Sequence, residues 1–120
     1  MRGKLTLACV VMSIGVFLVG GVALAAEFRG TSGPDEISGT DGRDAIRGLG
    51  GDDRLSGRGG GDHIYGDGGS DTIRGHSGDD HLLANDGKSD TVYCGAGKDF
   101  VYADPIDQVY YGCETIRIDR

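Results

Sequence analysis

The sequence predicts an all-β solenoid in which short strands stack into two parallel sheets, one coil for every 18 residues. Two observations carry this prediction. Residues 30–83 divide without insertion or deletion into six nine-residue copies: GTSGPDEIS, GTDGRDAIR, GLGGDDRLS, GRGGGDHIY, GDGGSDTIR and GHSGDDHLL. Four positions of the copy hold their residue type throughout: glycine at 1 and 4, aspartate at 6, and Ile or Leu at 8. A fixed period of this kind marks a repeat architecture in which each unit needs its neighbours to bury its apolar face.

Each unit divides into a turn and a strand. The first six residues carry glycine where the backbone must bend tightly. The last three, x-aliphatic-x, suffice for one short strand. Neighbouring side chains of a strand face opposite ways, so position 8 points inward and positions 7 and 9 point out. The chain lays a strand, turns, and returns on the other side, so that two units complete a coil. The inward residues are Ile37, Ile46, Leu55, Ile64, Ile73 and Leu82. Each position-6 aspartate then has a twin 18 residues away on the same edge, one strand spacing of about 4.8 Å along the stack.

Carboxylates brought that close repel one another unless a cation lies between them. Carboxylate and backbone carbonyl oxygens are the ligands of a hard cation, and calcium fits them best. The predicted pairs are Asp35 with Asp53, Asp44 with Asp62, Asp53 with Asp71, and Asp62 with Asp80. Asp90 and Asp99 extend the set to Asp71 and Asp80. The rival reading is a calcium-free glycine-rich linker, and aspartate fixed at one unit position argues against it.

The units resemble the nonapeptides of hemolysin-type (repeats-in-toxin, RTX) calcium-binding proteins, glycine-glycine-x-glycine-x-aspartate-x-aliphatic-x. That resemblance implies a parallel β-roll with Ca2+ held between successive loops. Position 2 departs from it, with Thr31, Thr40, Leu49, Arg58, Asp67 and His76 where the family has glycine. The segment Cys94-Gly95-Ala96-Gly97-Lys98-Asp99, followed by Cys113-Glu114, is similar to the C-terminal ends of small exported members.

Residues 1–25 precede the roll. They carry Arg2 and Lys4 and no acidic residue, then an apolar run over 5–22 and the small-x-small triplet Ala23-Leu24-Ala25. This is the layout of a secretory signal peptide. The alternative is an uncleaved membrane anchor, because the run is long enough to span a bilayer. Most of the apolar run follows Cys9 rather than preceding it, which argues against a lipid anchor. Without residues 1–25, 19 acidic residues stand against 10 basic ones, a net charge of −9. An acidic chain without tryptophan is a poor partner for nucleic acid or an anionic membrane.

On the outer faces, Glu36 falls beside Arg54, a cross-strand pair of opposite charge. His63 falls beside His81, which reads either as half of a zinc site or as two exposed histidines. Tyr65 and Leu83 stack likewise.

After Leu82 the register slips by one residue, and Asp90-Thr91-Val92 resumes the pattern. Loop glycines thin out and Tyr93, Phe100, Tyr102, Tyr110 and Tyr111 enter. Terminal repeats are atypical because an open sheet edge invites pairing. The sequence thus divides into 1–25 signal peptide, 26–83 roll and 84–120 degenerate repeats and irregular cap. Val92 and Val101 continue the core, and Val109, Ile116 and Ile118 are expected to close it. Cys94 and Cys113, the only cysteines after residue 25, lie about one coil apart. An exported protein meets an oxidising compartment, so these two are predicted to form a disulfide that closes the cap.

No nucleophile motif and no acid/base pair in a pocket is present, and a core of three-residue strands leaves no cavity. The sequence therefore reads as a secreted calcium-binding module, not an enzyme. Its role is structural or adhesive, with a protein or glycan partner, or it is a calcium-dependent accessory of an extracellular enzyme or toxin.

Overall fold

The computed structural model describes residues 18–19, 22–23, 26–110 and 112–118. The predicted signal segment falls mostly outside them. Within it only β1 (Leu18–Val19) and β2 (Val22–Ala23) are described, as an antiparallel pair. Every other described strand belongs to a parallel stack, and the described residues contain no helix.

One sheet holds β3 (Ala26–Arg29), β5 (Asp44–Arg47), β7 (His63–Tyr65), β9 (His81–Leu83), β11 (Phe100–Ala103) and β13 (Thr115–Ile118) in that order. The other holds β4 (Glu36–Ser38), β6 (Arg54–Ser56), β8 (Thr72–Arg74), β10 (Thr91–Tyr93) and β12 (Gln108–Val109). Consecutive strands alternate between sheets, so each pair of units is one coil of about five. Ile37 registers with Leu55 and Leu55 with Ile73, and on the other sheet Ile46 with Ile64 and Ile64 with Leu82. The chain is an all-β parallel solenoid with the predicted 18-residue coil.

The one-residue slip is also present. Ile73 pairs with Val92 and Leu82 with Val101, steps of 19 residues that absorb the extra residue of the unit beginning at Ala84. The loop takes up the insertion, because a one-residue slip inside a strand would turn its apolar side chains outward.

The core is a double file of side chains between the sheets. The position-8 residues from Ile37 to Val101 are buried. Phe28, nine residues before Ile37, begins the file one half-coil earlier than predicted. Ala84, Cys94 and Ala103 join it near the other end. Two expected members do not. Ile116 and Ile118 are both 46% exposed, and Val109 is only partly buried. β13 is the last strand of its sheet, and β12 opposite it has only two residues, so no further coil covers these side chains.

Cys94 and Cys113 are disulfide-bonded, with Cα atoms 5.2 Å apart, inside the span that a disulfide requires. Replacing both by serine is expected to lower stability by about 3 kcal/mol, the chain-entropy value for a loop of this size. Urea denaturation in calcium measures it, and an unshifted midpoint would contradict it.

Candidate metal centre

Positions 6 and 8 of a unit, and position 1 of the next, alternate along the strand. All three therefore face inward. The result is a buried aspartate at the start of each strand from β4 to β11: Asp35, Asp44, Asp53, Asp62, Asp71, Asp80, Asp90 and Asp99 are each at most 4% exposed. Eight buried carboxyl groups in a small solenoid demand partners, since a buried charge without one is costly.

One oxygen of all but Asp35 and Asp44 accepts a hydrogen bond from the neighbouring coil. The backbone N–H of Asp35 donates to Asp53 Oδ1 at 2.8 Å, and that of Asp53 to Asp71 Oδ1 at 2.8 Å. The Asp71 N–H donates to Asp90 Oδ1 at 2.7 Å, and the Asp90 N–H to Asp107 Oδ1 at 2.8 Å. On the opposite edge Asp44 donates to Asp62, Asp62 to Asp80, and Asp80 to Asp99, at 2.8–2.9 Å. The predicted pairs are thus two continuous ladders. Asp107 is a rung that the sequence reading missed, although Asp107-Gln108-Val109 repeats the aspartate-x-aliphatic signal.

The second oxygen is the informative one. Oδ2 of Asp53, Asp62, Asp71, Asp80, Asp90 and Asp99 is buried and makes no hydrogen bond. Such an atom bears the full desolvation penalty. The position-1 glycines explain how it is accommodated. A Cβ on Gly30, Gly39, Gly48, Gly57, Gly66 or Gly75 would lie within 2.8 Å of Oδ2 of the aspartate five residues on. At Gly48 it would also meet the Gly66 carbonyl oxygen at 2.9 Å, and at Gly75 the Cys94 carbonyl oxygen at 2.8 Å. Glycine is needed there for the close approach of carboxylate and carbonyl oxygens, a donor set that suits calcium.

The two first rungs differ. Asp35 and Asp44 have no preceding aspartate to donate to Oδ1. Thr31 and Thr40, both at position 2, fill that role. The Thr31 hydroxyl donates to Asp35 Oδ1 at 2.9 Å, and its N–H to Oδ2 at 2.6 Å. Thr40 does the same to Asp44, at 2.8 and 2.7 Å. Both oxygens of these two carboxylates are satisfied within the chain. In the next four units position 2 has turned to positive φ, at Leu49, Arg58, Asp67 and His76. Position 4 there, as at Gly51 with φ 85°, is also left-handed and so favours glycine.

Burial dominates the electrostatics of the inner rungs. It pushes the Asp53, Asp62 and Asp90 carboxyls up to about 7, and those of Asp71 and Asp80 up to about 8. The ladder N–H bonds oppose this shift, and neighbouring carboxylates add to it. Asp99 and Asp107 are raised for the same first reason.

The outer faces carry little that could serve as a ligand. His63 and His81 stack ring on ring at 4.8 Å, and Phe100 stacks on His81 at 5.7 Å. The next rung of this ladder offers no third ligand for zinc. Glu36 and Arg54 register as predicted, but the ion pairs among the described residues are Arg47–Asp67 and Arg58–Asp41.

A search of curated proteins and of solved structures finds no match to the chain. The family model for the RTX calcium-binding nonapeptide repeat (4 copies) does match, over residues 29–64 and 56–89. These spans cover just over half of the chain and contain the first six rungs of the ladders. The family binds Ca2+, which agrees with the oxygen donors, the buried carboxylates and the 18-residue coil described above. The chain belongs to the RTX calcium-binding nonapeptide repeat family.

Proposed function

We propose that the protein is an exported calcium-binding β-roll whose folding is driven by the ion, and that it serves outside the cell as a structural or adhesive module. The observation that carries this reading is the row of six buried, unpartnered Oδ2 atoms. Asp53, Asp62, Asp71, Asp80, Asp90 and Asp99 would hold calcium between successive coils, with Asp35 and Asp44 the weaker candidates because threonine already satisfies them. Bound calcium supplies positive charge between carboxylates that would otherwise repel. The chain's own part is to fix one oxygen of each carboxylate with a backbone N–H and keep the other free of hydrogen bonds.

Export is supported by the layout of residues 1–25, by the Cys94–Cys113 disulfide and by the usual habit of the repeat family. Residues 1–25 would be the cleaved signal, 26–83 the calcium-binding roll and 84–120 its cap. The acidic composition gives no reason to expect nucleic acid or an anionic membrane as partner, and a protein or glycan is the remaining class. No catalytic role is proposed. The second reading is a calcium-dependent accessory of an extracellular enzyme, a role in which such repeats commonly occur.

A comparison of Asp53→Ala with Asp35→Ala tests the ion assignment. Asp53 stands between two coils and has a free oxygen, whereas Asp35 ends a ladder and is fully bonded. Calorimetric titration should find fewer calcium ions bound by Asp53→Ala and an unchanged number bound by Asp35→Ala. Stability in calcium should fall further for Asp53→Ala. Equal losses in both variants would show that the inner rungs are not the ligands.

A further inference from the structure

The unit that carries the insertion has ten residues, from Ala84 to Tyr93, and its extra length falls in the loop Asn85-Asp86-Gly87-Lys88-Ser89. Local hydrogen bonds fold this loop back on itself. The Asp86 N–H donates to the Ala84 carbonyl at 2.9 Å, and the Lys88 N–H to Asp86 Oδ1 at 2.9 Å. Gly87, at φ 83°, donates its N–H to Asp104 Oδ2 in the following coil. Asp86 lies outside the repeat's aspartate position, yet its second oxygen is turned toward the ladder. Asp71, Asp86 and Asp90 each bring one carboxylate oxygen within 4.8 Å of the other two.

The burial of these groups sets the cluster apart from a solvated acidic patch. Asp71 is 2% and Asp90 1% exposed. Oδ2 of Asp71, Asp86 and Asp90 is buried without a hydrogen-bond partner in each case. No Lys, Arg or His forms an ion pair with any of the three among the described residues. Three carboxylates converging in this way are tolerable only with a cation among them. Among the described residues no other group of three carboxylates brings its oxygens this close together.

We propose that Asp71, Asp86 and Asp90 form a three-carboxylate calcium site, the tightest in the chain, at the coil where the register slips. The inference rests on the calcium reading of the ladders. Charge count tunes the affinity of oxygen-ligand calcium sites, and this site carries one more negative charge than a two-rung site. Magnesium is the poorer occupant, because it demands a near-ideal octahedron and dehydrates reluctantly. The site joins the loop before β8 to the loop before β10. As calcium rises it fills first, and so fixes the junction on which earlier coils stack.

Calorimetric titration of the full chain with calcium chloride at pH 8 tests this, comparing the wild type with Asp86→Asn. The asparagine keeps an oxygen to accept the Lys88 N–H. The wild type should show one site at least about tenfold tighter than the rest, and Asp86→Asn should lose that phase while keeping the weaker ones. Circular dichroism at saturating calcium checks the fold of the variant. Should Asp86→Asn fall short of the wild-type signal, the same titration of Asp86→Ser, whose hydroxyl can also accept from Lys88, decides the matter. A wild type that binds calcium and a variant that titrates identically would overturn the three-carboxylate site and leave the ladder reading standing. A wild type that takes up no calcium would overturn both.

Discussion

In excess chelator at pH 8, the chain is expected to lack the β-structure of residues 30–83, and added calcium is expected to restore it cooperatively. The expectation follows from a comparison of magnitudes. Seven buried carboxylate oxygens, six in the ladders and one on Asp86, have no partner. Each costs about 1–3 kcal/mol, and more where the group is charged. Together they rival the whole net stability of an ordinary domain, about 5–15 kcal/mol. The position-8 file adds only one aliphatic side chain per unit, and glycine-rich loops are expensive to order. Calcium stabilises only the coil that brings its oxygens together, so its binding free energy becomes folding free energy. The midpoint should fall at about 10⁻⁴–10⁻³ M, as in other extracellular calcium modules. Magnesium should substitute poorly. Circular dichroism checks this, and full β-structure in chelator, unmoved by calcium, would refute the central claim.

Acid should partly replace the ion. Burial pushes Asp53, Asp62 and Asp90 up to about 7 and Asp71 and Asp80 up to about 8, against 3.8 for an aspartate free in solution. A carboxyl whose pKa is higher in the folded chain than in the unfolded one stabilises the fold below the unfolded value. That contribution is lost as pH rises through the folded value. In chelator, the fold should therefore gain stability as pH falls from 8 toward 4, and lose it again on return to 8. The recovered β-structure should be plain in circular dichroism at pH 5. Calcium bound by that acid form must displace protons, so its affinity there should weaken by about tenfold for each proton displaced per pH unit. The number of protons follows from calorimetry in buffers of different ionisation enthalpy. A chelated chain no better folded at pH 5 than at pH 8 would mean that the buried carboxyls do not govern stability.

Much of this architecture is legible in the sequence because one constraint repeats. Isoleucine or leucine at position 8 and aspartate at position 6 are locked by the strand's alternation, and they gave the coil, the two sheets and both ladders. The slip after Leu82 was equally visible, since a lost residue count leaves the aspartate-x-aliphatic signal intact at Asp90 and Asp99. The features that escaped depend on what one end of a stack lacks. Thr31 and Thr40 read as mere departures from glycine. Their role follows from the missing N–H of a preceding rung, which only the stacked structure exposes. Ile116 and Ile118 have the right spacing to be inward, but burial also needs a facing strand, and β12 stops too soon. Asp86 occupies no repeat position. The inserted residue alone brings it to Asp71 and Asp90.

The threonine-bonded rungs also bear on how these molecules meet one another. A stack of identical coils is open to growth from both ends, because the last coil of one copy resembles the coil that would precede the first of another. Such head-to-tail joining produces filaments when nothing closes it. Here an incoming copy would have to offer an N–H to Asp35, whose Oδ1 already accepts from the Thr31 hydroxyl, while β3 already lies over the coil edge at Asp44. The threonine hydroxyl at Asp35 and the strand over Asp44 both make that face a poorer seat for the last coil of a second copy.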